Sequence, residues 1–200
     1  MEALDYIIDS YDIYKQKLLE AFIVGVVTYF LSFIILIPVL GWYLYAKLFP
    51  KMVVWYYNKL NIKVDPKYDV AFKSIIILLL VTMIGFIIMI VGILLINSII
   101  IGLIIMIIGL ILSILLLYTL FGSIIGKVDK FKIYAKKSVY LFLISLIPSF
   151  ILFLILYIIL LLFVQLIGPI LLFILGILVE IFYPPYLFTL YAVAIENMQS

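Results

Sequence analysis

The sequence predicts an all-α polytopic membrane protein: six transmembrane helices in three hairpins, led by an amphipathic interfacial helix. Composition is the first reason. Of 200 residues 70% are hydrophobic and 12% charged, with a mean hydropathy of +1.48, against about 45–50% apolar and about 25% charged in soluble chains. So little polar surface cannot cover a soluble domain, and the length is better counted in spans of about 20 residues. Charge spacing is the second reason: 53 uncharged residues separate Lys73 from Lys127, and another 42 run from Ser138 to Val179. Each run can cross a hydrocarbon core twice. The third is that lysines gather on alternate connections, as the positive-inside bias requires. This composition excludes secreted domains, cytosolic enzymes and nucleic-acid-binding modules, and a net charge of +3 is too small to imply a polyanionic partner.

Residues 1–17 read as the interfacial helix. Leu4, Ile7, Ile8, Tyr11, Tyr14 and Leu18 recur at helical spacing, with aspartates on the other face. Those acidic residues stand where a signal peptide would be basic. A single transmembrane domain, 18–197, follows, with spans near 18–37, 39–60, 74–96, 99–121, 138–163 and 169–195. The first hairpin turns at Ile37-Pro38-Val39-Leu40-Gly41, and its second span carries Lys47 and Lys51. A lysine at the midplane costs about 2.5–3.5 kcal/mol, less if it snorkels, which raises a five-span alternative. Five spans would put Lys15 and Lys17 across the membrane from the other lysines; six keep all the basic connections on one side. Both termini are therefore expected in the cytoplasm and the chain in the cell membrane. Asn97-Ser98 is the turn of the second hairpin, and Gln165, Gly168 and Pro169 mark the third. The loop Gly126–Lys137 reads as a second, basic interfacial segment, with Val128, Phe131 and Tyr134 toward lipid and its lysines toward anionic headgroups. An aromatic and a lysine precede each hairpin at intervals of about 60 residues, a spacing open to two readings, triplication or ordinary interfacial anchoring.

Chemistry is thinly represented. The chain has no cysteine and no histidine, which removes disulfides, thiolate sites and the commonest general base and metal ligand. Phosphate loops, zinc-protease motifs and nucleophile elbows are absent from the sequence, so no enzyme activity, cofactor or metal is expected. Glu180 is the one carboxylate inside an apolar run, and Lys47 and Lys51 share a helix face at comparable expected depth. Together they form the candidate buried polar site. An ion pair of Glu180 with one of the lysines is expected, with a proton- or ion-coupled site and a protonated acid as alternatives. Gly85, Gly92, Gly102, Gly109, Gly122 and Gly126 are the candidate helix-packing residues, within the chain or at a homo-oligomer seam. Tyr183-Pro184-Pro185-Tyr186 should kink or break the last span. The partners are then the lipid bilayer and a second membrane protein or another copy, with no nucleic acid. An accessory or scaffold role in a membrane complex is the expected function, and a small transporter or channel component for an ion or lipid-like solute, using Glu180, is the alternative.

The first-hairpin turn at residues 37–41, the loop Lys63–Lys73 with its Asp65-Pro66, and the ending Pro184-Pro185-Tyr186-Leu187 together resemble prokaryotic, mainly archaeal, six-span membrane families of unknown function. Their layout is similar to the membrane domain appended to some glycerophosphodiester phosphodiesterases. The resemblance covers nearly the whole chain. It implies a small all-helical membrane protein, archaeal in source, and carries over no catalytic or binding residue.

Overall fold

The computed structural model describes residues 3–94 and 99–198, without the side chains of 85–86, 88–94, 99–103, 105–106 and 160–172. Six helices and no strand occur among the described residues: α1 (Ala3–Gln16), α2 (Leu18–Ile34), α3 (Leu40–Lys59), α4 (Tyr68–Leu94), α5 (Ile99–Ile125) and α6 (Ala135–Asn197). The protein is all-α, as its composition requires. The expected turn at Asn97-Ser98 lies outside the described residues.

α6 is helical over 63 residues, yet it cannot be straight. The hydroxyls of Ser149 and Tyr183, 34 residues apart, are hydrogen-bonded; a straight helix would separate them by about 50 Å. The chain therefore doubles back between them, and Ala135–Ile159 and Phe173–Asn197 are two arms side by side. Pro184 and Pro185 do not break the second arm, which stays helical to Asn197.

Three helical segments among the described residues are long and apolar enough to cross a membrane: Ile107–Ile125 and the two arms of α6. Among the described residues a fourth is reached by joining α1 to α2 across their 94° bend; the side chains of 85–86 and 88–94 in α4 lie outside them. Six spans are not supported, and the first hairpin provides the physical reason. Tyr43, in the first turn of α3, packs edge-on against Phe72, in the second turn of α4, with ring centroids 5.7 Å apart. Were α3 and α4 antiparallel spans joined by a short loop, Tyr43, 16 residues before Lys59, would lie about 24 Å down α4. Instead the α2–α3 turn sits near the level at which α4 begins. That turn is tight: Val39 adopts φ 62° and ψ −65°, and the Leu40 amide donates to the Pro38 carbonyl at 2.7 Å, which is a γ-turn. The Trp42 indole N–H then caps the Ile35 carbonyl at 2.9 Å.

The α3–α4 and α5–α6 connections gather at the same end and interlock. Asn61 closes α3 in the left-handed region at φ 60°, and the Ile62 amide reaches back to the Tyr57 carbonyl, a Schellman ending. From there the chain runs along the end of α5, where Asp65 and Lys67 amides donate to the Ile125 and Ser123 carbonyls. Lys67 also bridges to Asp65 at 2.8 Å and to Asp129 at 3.8 Å, and its hydrogen bond with Asp65 holds the ammonium pKa above its ordinary value. Most of the described buried side chains lie here, among them Val53, Tyr56 and Tyr57 of α3, Ala71 of α4, Ile124 of α5, and Leu141, Leu190 and Ile195 of α6. Farther from this end the helices present Ile107, Leu110, Phe150, Phe153 and Phe173 outward.

α2 meets the second arm of α6 at a backbone-to-backbone crossing. Pro185 has no N–H to give the Ile181 carbonyl four residues earlier, and that oxygen occupies the space a Cβ on Gly25 would need. A bare Cα allows this approach and supplies a weak Cα–H···O contact, while Phe22 packs on Phe182 at 5.8 Å. Gly25→Ala is expected to destabilise the fold by about 1–3 kcal/mol, the usual cost of overpacking, seen as a lower Tm in detergent. Gly176→Ala, whose added methyl would meet nothing within 4 Å, is expected to leave the Tm unchanged.

Candidate functional site

Glu180, Lys47 and Lys51 do not form a buried site. All three are exposed, and no ion pair joins Glu180 to either lysine among the described residues. Helical geometry explains the separation. α3 turns Phe49, Val53, Tyr56 and Tyr57 inward, with Phe49 and Tyr57 reaching Phe188 of α6. Lys47 and Lys51 each stand two positions before an inward residue, about 200° around the helix, and so face away from α6.

The lysines face α4 instead. Tyr43, Ala46, Lys47, Pro50 and Lys51 form one wall of a cleft of about 350 Å³, and Tyr68, Asp69 and Phe72 of the first turns of α4 form the other. The Lys47 ammonium stands 5.6 Å from the centre of the Tyr43 ring, a cation–π distance. Lys51 lies one turn further along the same face. The cleft therefore offers two ammonium groups and one carboxylate above a mostly apolar floor.

The glycines divide. Gly109 faces Val81 of α4, 3.4 Å from where its Cβ would be. Gly122 and Gly126, spaced like a helix-dimer motif, make no helix seam here: Gly122 is covered by Val128, and Gly126, at φ +95°, ends α5 against Asp65. The side chains at positions 85, 92 and 102 (Gly85, Gly92 and Gly102) lie outside the described residues. The loop after Gly126 is not the expected interfacial helix. It is non-helical to Tyr134 and bends at Lys127 and Lys130, with Val128 buried rather than turned to lipid and the Lys132 carbonyl accepting from the Thr119 hydroxyl at 2.6 Å.

Sequence reading missed a belt of hydroxyl groups around the second arm of α6. Tyr14 donates to the Phe182 carbonyl at 3.0 Å and Tyr57 to that of Phe188 at 2.9 Å. The Tyr56 and Thr189 hydroxyls meet at 3.1 Å, and Ser10 and Ser145 approach Tyr186 and Tyr191. Ser138 likewise accepts from the Tyr118 amide and donates to the Leu115 carbonyl of α5. Burial pushes the Tyr14 phenol up to about 12, so it remains a donor through the ordinary pH range. Among the described residues no buried side-chain oxygen or nitrogen lacks a partner. No pattern in the sequence marks this belt, whose members come from α1, α3 and both arms of α6.

No family model, curated protein or solved structure matches this chain.

Glu180→Gln is expected to change the detergent Tm by no more than a surface substitution does, about 0.5 kcal/mol. Adding Lys47→Met or Lys51→Met should give coupling no larger than about 0.5 kcal/mol, the level found for sites that do not touch. A larger coupling in this cycle would restore the ion pair.

Proposed function

We propose that the chain is a multi-pass membrane protein that acts by binding, as an accessory or scaffold component of a membrane assembly. One observation carries this reading. The buried hydroxyls of the described core are spent on partners within the chain, while the groups left open, in the lysine cleft and on apolar helix faces, lie on the outside. A solute pathway needs polar groups free to exchange partners along it; this core has committed its own.

In the layout proposed here, α4, α5 and the two arms of α6 cross the bilayer. α1 and the α2–α3 hairpin stay on the lysine-rich side, which the positive-inside bias makes cytoplasmic. The cell membrane and cytoplasmic termini belong to this proposal, as does the likeness to archaeal six-span families in composition and loop pattern. The α2–α3 tip is apolar and exposed, with Leu36 and Val39 each 76% accessible, and so dips into lipid from the cytoplasmic face.

Labelling with an impermeant maleimide tests the layout. Ser98→Cys is expected to react in intact cells, and Val39→Cys only after permeabilisation; reaction of both from outside would restore six spans. Reconstituted in liposomes, the chain is expected to pass no ion or small solute. A flux abolished by Glu180→Gln would make it a transporter component instead.

A further inference from the structure

We propose that the cleft between α3 and α4 binds the phosphate-bearing headgroup of an anionic phospholipid, drawn from the cytoplasmic leaflet. The proposal rests on α4 being a span, and depth is the first argument. Tyr68, Asp69 and Phe72 line the cleft, and Lys73 is the last charge before 53 uncharged residues. The cleft thus opens where α4 leaves water for hydrocarbon, the level at which headgroups sit and tyrosines concentrate.

Chemistry is the second argument. Lys47 and Lys51, four residues apart on one face, place two ammonium groups on one rim, and neither is in an ion pair among the described residues. Lys47 is steadied over the Tyr43 ring, whereas Lys51 has only its place on the helix. A phosphodiester oxygen can accept from both, while the glycerol backbone and first methylenes rest on Ala46, Pro50 and Phe72. Asp69 opposes the anion, but with Lys73 one turn beyond it the local balance stays positive. Such a site holds a lipid at a defined place on the protein, which a diffuse lysine-rich loop does not.

The test uses the full chain purified in nanodiscs of phosphatidylcholine mixed with phosphatidylglycerol, with retained lipids counted by native mass spectrometry after release. Enrichment of phosphatidylglycerol over phosphatidylcholine is expected. Each lysine at an anionic surface is worth about fivefold in binding, so Lys47→Gln with Lys51→Gln should reduce the enrichment roughly thirtyfold. Asp69→Asn should raise it about fivefold by the same reckoning. Lys130→Gln with Lys132→Gln, in the exposed connection before α6, should leave it unchanged. An equal loss in that loop variant, or none in the cleft variant, would overturn the site. Inorganic phosphate in excess should not displace the lipid; displacement would overturn the assignment to lipid in favour of a free anion. A chain that fails to enter nanodiscs defeats the membrane reading and this proposal together, whereas insertion without lipid preference defeats this proposal alone.

Discussion

Two consecutive prolines remove two amide donors from the second arm of α6, and much of the amino-terminal third is fitted to the backbone around them. A carbonyl without a donor is tolerable in water and expensive in a packed apolar setting. The donors lost are those to the Glu180 and Ile181 carbonyls. The Ile181 oxygen is met by the bare Cα of Gly25, while the next carbonyl, of Phe182, whose helical donor Tyr186 keeps its N–H, takes an added hydrogen bond from Tyr14. One turn on, Pro185 and Phe188 carbonyls accept from Thr189 and Tyr57. α1, α2 and α3 each thus contribute a group to the same short stretch of helix. Those contacts seat all three helices on that stretch.

A consequence is that the two halves of the chain are held by different forces. In the proposed layout the long helices with apolar faces need only neighbours of matching shape, because lipid would solvate their outer surfaces as well as protein would. The loop end cannot rely on lipid. It is built as a soluble core is, with aromatic pairs such as Phe121–Tyr191 at 4.8 Å, capped helix ends, and loops stitched to one another through backbone amides. The lysine cleft lies at the seam between these regimes.

How much of this was legible in the sequence follows from what periodicity can and cannot report. The long helices were in part: the uncharged runs fall on α4, α5 and α6, though α4 begins at Tyr68, ahead of the expected Ser74, and the first-hairpin turn fell beside Pro38 and Gly41. The orientation of the first hairpin was not. α2 is apolar enough to span, and hydropathy does not distinguish a helix that crosses a membrane from one laid against its edge. Lys47, Lys51 and Lys59 in α3 were the warning, and snorkelling explained them away. Glu180 was assigned a partner by counting depth along two helices, but only face decides contact, and Phe49 and Val53 already marked the inward face of α3. Gly122-xxx-Gly126 has the spacing of a dimer seam and serves as a helix ending, because the next residues fold back over it. The hydroxyl belt had no linear signature at all, since its Tyr57 and Tyr14 hydrogen bonds join residues 131 and 168 positions apart.

Those separations bear on how the molecule is made. Within this sequence α1, α2 and α3 leave the ribosome before the stretch they clasp, residues 181–189. Until then α2, with Phe22, Phe30 and Phe33 on its outer side, has no protein surface to settle on. Long-range contacts of this kind form slowly and leave early segments exposed to wrong partners. In the proposed layout the bilayer surface is the waiting place for this apolar hairpin. In that layout α1, α2 and α3 can reach their native positions only after residues 181–189 are made, with the membrane surface as their chaperone in the interval.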